Sequence, residues 1–480
     1  MDPRYEMVIG LEVHAQVNVK SKLFSASPTD FGAEPNTQAN EIDMGMPGVL
    51  PVLNRDVVDA AIKLGLGIKA RINRTSVFSR KNYFYPDLPK GYQISQFDLP
   101  IVEHGTLTID LDDGSSRDIG VTRIHIEEDA GKSVHDFGDE KHSHVDLNRA
   151  GVPLVEIVSE PDMRTAEEAG AYMKKMRAIV RFIDVCDGNM EQGSMRCDAN
   201  VSVRLKGVET LGTRCEIKNL NSIRNVMRAI DFEANRQIAI IEHGGEVEQQ
   251  TRLWDAAKSE TRAMRSKEDA HDYRYFPDPD LLPLKLTEER IEAAKAAMPE
   301  LPDEMKERFI KEYTLSAYDA SVLTLSRAGA HYFEALVDGK RDAKKCVNWM
   351  TVELFGALNK EGIDINDSPI SPDHLGELVD LIDDATISGK IAKTVFEEMW
   401  TSGKAPKTIV EEKGLVQITD SSMLEGIVDK LIEGNPENSE QFRSGNDRVL
   451  GWFVGQVMKE TQGKANPQMV NEILRGRLRP

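Results

Sequence analysis

The feature that most constrains this chain is a change of hydrophobic period near Leu282-Pro283-Leu284. Before it, apolar and polar residues alternate in short runs between loops dense in Gly, Pro and Asp; after it, apolar residues recur at helical spacing to the end. A period of two makes strands with one buried face, and a period near 3.6 makes amphipathic helices. The chain therefore reads as a mixed α/β region with many short strands followed by helical parts. The stretch 402–407, with Gly403 and Pro406, is a second joint, so the expected domains are residues 1–285, 286–405 and 406–480. A length of 480 residues fits such a multidomain plan.

The alternation is clearest at the N-terminus. Ile9, Leu11, Val13, Ala15 and Val17 point one way, and Glu12, His14 and Gln16 the other. Segments 121–128, 152–158, 196–204 and 214–218 behave similarly. Thr165 and Glu168 form a capping box ahead of Tyr172, Met173, Met176, Ile179, Val180 and Ile183. In the helical region Ser371-Pro372 and Asn466-Pro467 each place an N-cap and an N1 proline before an amphipathic run. Tyr83-Phe84-Tyr85-Pro86-Asp87 is echoed by Tyr273-Arg274-Tyr275-Phe276-Pro277-Asp278, too briefly to establish duplication.

Composition excludes several classes. The formal charge is −20, which argues against a general polyanion binder. Four scattered cysteines make neither a disulfide scaffold nor a CxxC zinc pattern. The N-terminus carries no signal-peptide pattern, and no apolar run reaches the ~18 residues of a membrane helix, so a soluble, cytoplasmic protein without membrane contact is expected. The last 40 residues reverse the charge, with Arg443, Arg448, Lys459, Lys464, Arg475, Arg477 and Arg479 against Asp447, Glu460 and Glu472. A nucleic acid would touch an acidic protein there, although a solvated helical face is the simpler account.

Glu12-x-His14 puts a carboxylate and an imidazole on one strand face, about 6–7 Å apart. Alone, this is an ordinary polar face. It gains weight beside Glu127-Glu128-Asp129 and beside Glu156, whose neighbours Leu154, Val155, Ile157 and Val158 make an unpaired carboxylate costly. A salt bridge to Arg149 or Arg164 would serve equally for Glu156. Asp198 and Glu216 add carboxylates on further strands, beside Arg196 and Lys218. Acidic residues with one His and no Cys suit Mg²⁺ or Mn²⁺ better than thiolate zinc. The loop Arg80 to Gln93 mixes cations with aromatics that could stack on a base or simply pack. Gly131-Lys132-Ser133 lacks the earlier glycine of a phosphate-binding loop, and no G-x-S-x-G elbow occurs, so serine acyl chemistry is unsupported.

Several of these segments together resemble one family. Val8-Ile9-Gly10-Leu11-Glu12-Val13-His14, Arg80-Lys81-Asn82-Tyr83-Phe84-Tyr85-Pro86-Asp87, Glu127-Glu128-Asp129-Ala130-Gly131-Lys132, Ser194-Met195-Arg196-Cys197-Asp198-Ala199-Asn200 and Asp272-Tyr273-Arg274-Tyr275-Phe276-Pro277 look like the B subunits of tRNA-dependent amidotransferases (GatB/GatE). The resemblance runs essentially end to end. It implies an α+β fold: a large cradle-like domain of mixed β-sheet and helices, a helical domain, and a small helical tail that helps hold tRNA. It implies ATP-dependent phosphorylation of the side-chain carboxylate of Glu-tRNA(Gln) or Asp-tRNA(Asn), then amidation by ammonia. That ammonia would come from an amidase A subunit, with a small C subunit completing a heterotrimer. A non-catalytic tRNA-binding scaffold is the alternative.

The resemblance also carries metal binding, with ATP and Mg²⁺, onto Glu12, His14, Glu128 and Glu156. It makes Lys81, Tyr83 and Tyr85 candidates near the aminoacyl group or the ammonia exit. Some family members carry a cysteine zinc knuckle near the N-terminus. Here those positions are Ser25, Ser27, Asn40 and Asp43, so no structural zinc is expected, and loop 24–47 must hold by packing and hydrogen bonds.

Overall fold

A computed structural model of the chain describes residues 1–134, 142–264, 272–418, 420–461 and 463–478. It divides into two compact units, Met1–Pro302 and Asp303–Pro480. The fold is α+β: strands crowd the first unit, and the second is helical.

In chain order the strands are β1 (Tyr5–Gln16), β2 (Arg71–Ile72), β3 (Thr75–Ser76), β4 (Phe78–Asn82), β5 (Tyr92–Gln96), β6 (Val102–Asp110), β7 (Ser116–Glu128) and β8 (Lys132–Val134). Then follow β9 (His144–Asp146), β10 (Pro153–Ser159), β11 (Met195–Leu205), β12 (Cys215–Leu220), β13 (Thr251–Asp255), β14 (Glu260–Ala263), β15 (Phe276–Pro277) and β16 (Leu284–Lys285). Nine of them form one sheet in the order β14-β13-β12-β11-β1-β10-β7-β6-β2. All its neighbours are antiparallel except β12 and β13. The N-terminal strand thus sits mid-sheet, paired on both sides with strands that come more than 130 residues later.

Alternation sorts the two faces. Ile9, Leu11, Val13, Ala15, Ile124, Ile126, Val155, Ile157, Ala199 and Val201 form the buried face. Helices α1 (Arg55–Gly67), α2 (Ala166–Phe182) and α3 (Ile223–Glu242) supply the apolar residues packed on it. α2 begins at the expected cap, where the Thr165 hydroxyl accepts from Glu168 N at 3.1 Å. Glu168 does not close the box on Thr165; its carboxylate takes Arg164 N and the Arg117 guanidinium instead. The first unit runs past the last strand to Pro302 because α4 (Glu288–Ala296) packs back on α1.

A second, smaller sheet lies in the order β15-β4-β5, with Phe276 opposite Arg80. It pairs the second echoed aromatic segment with the strand that leads into the first, and Tyr83 and Tyr273 meet edge-on though 190 residues apart in sequence. In loop 24–47 the Asp43 carboxylate accepts from Ser25 Oγ and Ser27 Oγ at 2.8 Å each, from Asn40 N at 3.0 Å and from Lys22 Nζ at 3.1 Å.

In the second unit Ser371 and Asn466 cap the helices Pro372–Asp383 and Pro467–Leu478 as expected. Across the stretch 402–407 the chain turns a tight corner. Gly403 ends one helix with φ +66, and the next, Pro406–Lys413, packs back on Gly389–Ser402 and Pro372–Asp383. The last helices share a separate core of Leu424, Val428, Phe453, Val457, Val470 and Leu474. Among the described residues no helix is long and apolar enough to cross a membrane.

Candidate metal centre

The polar face of the large sheet carries no helix layer of its own among α1–α3, and its side chains follow from register. His14 on β1 lies opposite Glu156 on β10, and Glu156 lies opposite His125 on β7. Glu127, two residues beyond His125, shares that face. His14 Nε2 is 3.3 Å from Glu156 Oε2 and 3.7 Å from Glu127 Oε1. His125 Nε2 is 3.2 Å from Glu156 Oε2 and 3.5 Å from Glu127 Oε2. One ligand atom each from His14, Glu127 and Glu156 lies within 4.8 Å of the others.

This set fits a divalent cation. Two buried carboxylates and an imidazole converge, a donor set suited to Mg²⁺ or Mn²⁺. His125 stands behind Glu156 as an orienting group, and its buried Nδ1 has no hydrogen-bond partner among the described residues. The cluster is knit together by these ion pairs. Burial works against the His125 imidazolium, but Glu156 and Glu127 push its pKa up to about 9, and His14 moves upward for the same reason. Burial likewise opposes the Glu156 carboxylate, yet the facing imidazoles hold it well below the usual range.

Of the expected ligands, His14 and Glu156 meet. Glu12 lies on the same face, where Asn200 Nδ2 donates to it at 2.9 Å. Burial, then Glu156, Glu216 and Asp198, raise its pKa. Lys218 Nζ bridges Asp198 at 2.6 Å and Glu216 at 2.7 Å on the β11–β12 side.

Glu128 is not brought together with His14 and Glu156. Alternation along β7 sends it to the opposite side from Glu127, where it pairs with Lys90 and accepts from Ile94 N at 2.9 Å. On β7 it is the neighbouring Glu127 that faces His14 and Glu156. The signal was present as His125-x-Glu127, the same two-residue spacing as Glu12-x-His14. Asp129, also expected near the site, is tied to Arg196 at 2.8 Å and to Gln16 at 3.1 Å.

Lys81 is half-buried on β4, with Glu127 and Glu156 among the groups that raise its pKa against the pull of burial. Tyr83 donates to Gln93 Oε1 at 2.9 Å and meets the Tyr85 ring edge-on at 6.0 Å. Tyr85 itself is exposed. Sequence reasoning gave no role to Tyr273 and Tyr275, which β15 brings onto Lys81 from far along the chain. In the tail, Arg477 pairs with Glu425 at 2.8 Å and Arg443 reaches the Leu478 carbonyl, while Arg479 lies outside the described residues.

Comparison with known families matches the strand-rich part and the helical part of the chain separately. A family model described as the GatB/GatE catalytic domain matches residues 7–292, and one described as a GatB domain matches 331–478. The chain belongs to the GatB/GatE family. It is 58% identical over 470 residues to the B subunit of the aspartyl/glutamyl-tRNA(Asn/Gln) amidotransferase of Paramagnetospirillum magneticum, covering 98% of this chain and 96% of that protein. The protein of the same description from Alkalilimnicola ehrlichii is 58% identical over 476 residues, 99% of each chain. That from Granulibacter bethesdensis is 60% identical over 471 residues, covering 98% and 97%.

Proposed function

We propose that this chain is the B subunit of an aspartyl/glutamyl-tRNA amidotransferase and carries its ATP-dependent activation step. The supporting observation is the His14–Glu127–Glu156 cluster, with Lys81 nearby, inside the span matched by the catalytic-domain model. A carboxylate is a poor electrophile. Its oxygen therefore attacks the γ-phosphorus of ATP, ADP leaves, and an acyl phosphate forms on the glutamyl or aspartyl side chain. Ammonia then adds to the carbonyl carbon, inorganic phosphate departs, and a proton passes to solvent, leaving the amide.

His14, Glu127 and Glu156 would hold Mg²⁺, which neutralises phosphate charge when bound. Glu12, Asp198 and Glu216 offer further oxygens on the same face. Lys81, Tyr83 and Tyr85 belong to the approach of the aminoacyl group or of ammonia. The ammonia source would be the amidase A subunit, consistent with the missing serine-nucleophile elbow here, and a small C subunit would complete the heterotrimer. The tail helices, with Arg448, Lys459, Lys464 and Arg475, are the part proposed to meet the misacylated tRNA.

The competing reading is a tRNA-binding scaffold whose carboxylates are satisfied by imidazolium partners, as the ion-paired geometry allows. The test is amide formation on Glu-tRNA(Gln) or Asp-tRNA(Asn) by the purified assembly, with ATP, Mg²⁺ and ammonium chloride but no glutamine. Glu127→Gln is expected to abolish product while leaving the assembly intact. Normal product from that variant would assign the cluster a structural role and the chemistry to a partner.

A further inference from the structure

The Lys81 ammonium is held in an unusual way for a half-buried charge. Among the described residues it is held by rings rather than by a direct ion pair: Nζ lies 4.8 Å from the Tyr273 ring centroid and 5.9 Å from that of Tyr83. Those rings are themselves braced. Tyr273 meets Tyr83 edge-on at 6.1 Å and Tyr275 at 6.0 Å. Tyr275 stacks on Phe97 at 4.2 Å with planes 5° apart. The backbone is pinned as well. Asn82 N and Nδ2 donate to the Tyr273 carbonyl at 3.0 and 3.1 Å, and Phe276 pairs with Arg80, whose guanidinium is 2.8 Å from Asp278.

The chemical difference between a ring and a carboxylate decides what such a lysine can do. A carboxylate within contact distance neutralises the ammonium and occupies its N–H donors. An aromatic face attracts the charge through its quadrupole and leaves the donors directed elsewhere. The nearby anionic side chains are Glu127 and Glu156, which act on Lys81 without contacting it. An anionic ligand seated between the ammonium and a cation on those carboxylates would find an unspent charge waiting.

The geometry points to Tyr273, braced by Tyr275 and Tyr83, as a positioning residue whose ring holds the Lys81 ammonium beside the metal centre without neutralising it, leaving its N–H donors for the phosphoryl oxygens of the activated substrate. This rests on the activation reading above. Lys81 is the group that touches the ligand, and Tyr273 acts through it.

The test uses the full assembly, ammonium chloride as nitrogen donor and whichever misacylated tRNA the wild type converts. Tyr273→Leu removes the ring and is expected to lower kcat about tenfold with KM for the tRNA unchanged. Tyr273→Phe keeps the ring and restores most of that loss. In a Lys81→Met background, itself impaired, Tyr273→Leu is expected to cost less than about twofold more, because its effect runs through the ammonium. Equal losses in both backgrounds, a Phe variant as poor as the Leu variant, or no loss on Lys81→Met would each overturn the assignment. Should Tyr273→Leu fail to assemble, pentafluorophenylalanine at position 273 keeps the ring shape but reverses its quadrupole; undiminished kcat there would overturn it too. Glu127→Gln is run alongside. If that variant is fully active, the activation reading itself fails; if it is inactive while the Lys81 backgrounds show equal losses, only the role of Tyr273 fails.

Discussion

The Lys22–Asp43 pair gives the sharpest stability prediction. Both side chains are buried, at 0% and 3% exposure, and Nζ is 3.1 Å from Oδ2. Lys22 Nζ also reaches the Leu147 carbonyl at 3.3 Å, so the pair ties loop 24–47 to the segment before β10. Lys22→Met keeps the side-chain length and deletes the charge. Removing one partner of a buried pair costs ~3–5 kcal/mol. The hydroxyls of Ser25 and Ser27 and the Asn40 amide still serve Asp43, which places the loss at the low end, about 3 kcal/mol. For a first unit of 302 residues melting cooperatively, an unfolding entropy of about 2.1 cal/mol/K per residue gives roughly 0.6 kcal/mol/K and hence a Tm drop near 5 °C. Differential scanning calorimetry of the assembly measures it. The double variant Lys22→Met/Asp43→Asn removes both charges and should recover most of the loss. A Tm unchanged within about 1 °C for Lys22→Met, or a double variant as unstable as the single, would refute the reasoning. The pH dependence has a definite sign. Burial pulls the Lys22 pKa below its ordinary value, and Asp43 opposes that pull. In Asp43→Asn the opposition is gone, the unfolded chain binds the proton more readily than the folded one, and stability relative to wild type rises with pH from neutral towards about pH 10.

Two further outcomes follow from the packing of the sheet. Mn²⁺ titrated into the assembly and followed by electron paramagnetic resonance should bind more than about tenfold more weakly to Glu127→Gln, while Glu128→Gln, altered on the other side of β7, retains the affinity; the reverse order would restore Glu128 as the ligand. Gly65→Ala places a Cβ 2.5 Å from Ile72 Cδ1 and 2.8 Å from Val102 Cγ2, so overpacking should cost ~1–3 kcal/mol in urea unfolding, and a neutral result would mean that α1 can withdraw from β6.

Much of this was legible in the chain because it is local. The period of two in β1 separates Glu12 and His14 from Ile9, Leu11 and Val13, and Thr165, Ser371 and Asn466 announce their helices through side-chain caps. What was not legible depends on pairing. Glu127 and Glu128 are adjacent glutamates, and only the facing of His125 towards Glu156 settles which one joins His14. The turn at 402–407 reads like a linker because Gly403 and Pro406 end and start helices equally well inside one packed layer. Tyr273 reaches Lys81 through a two-residue strand closing a loop of nearly 200 residues, for which no local pattern gives notice.

The place of β1 also governs when this centre can come into being on the ribosome. The strand ends at Gln16, whereas β10, its first partner, ends at Ser159 and β11 at Leu205. At about 5–20 residues per second, β1 waits roughly 7–30 s with both edges unpaired. His14 therefore cannot meet Glu156 in a fragment released before β10 is made, so such short products carry no assembled centre to sequester cations. The cost falls on proteostasis: an apolar strand with two open edges is a ready ligand for chaperones, and for its own kind, until the middle of the sheet arrives.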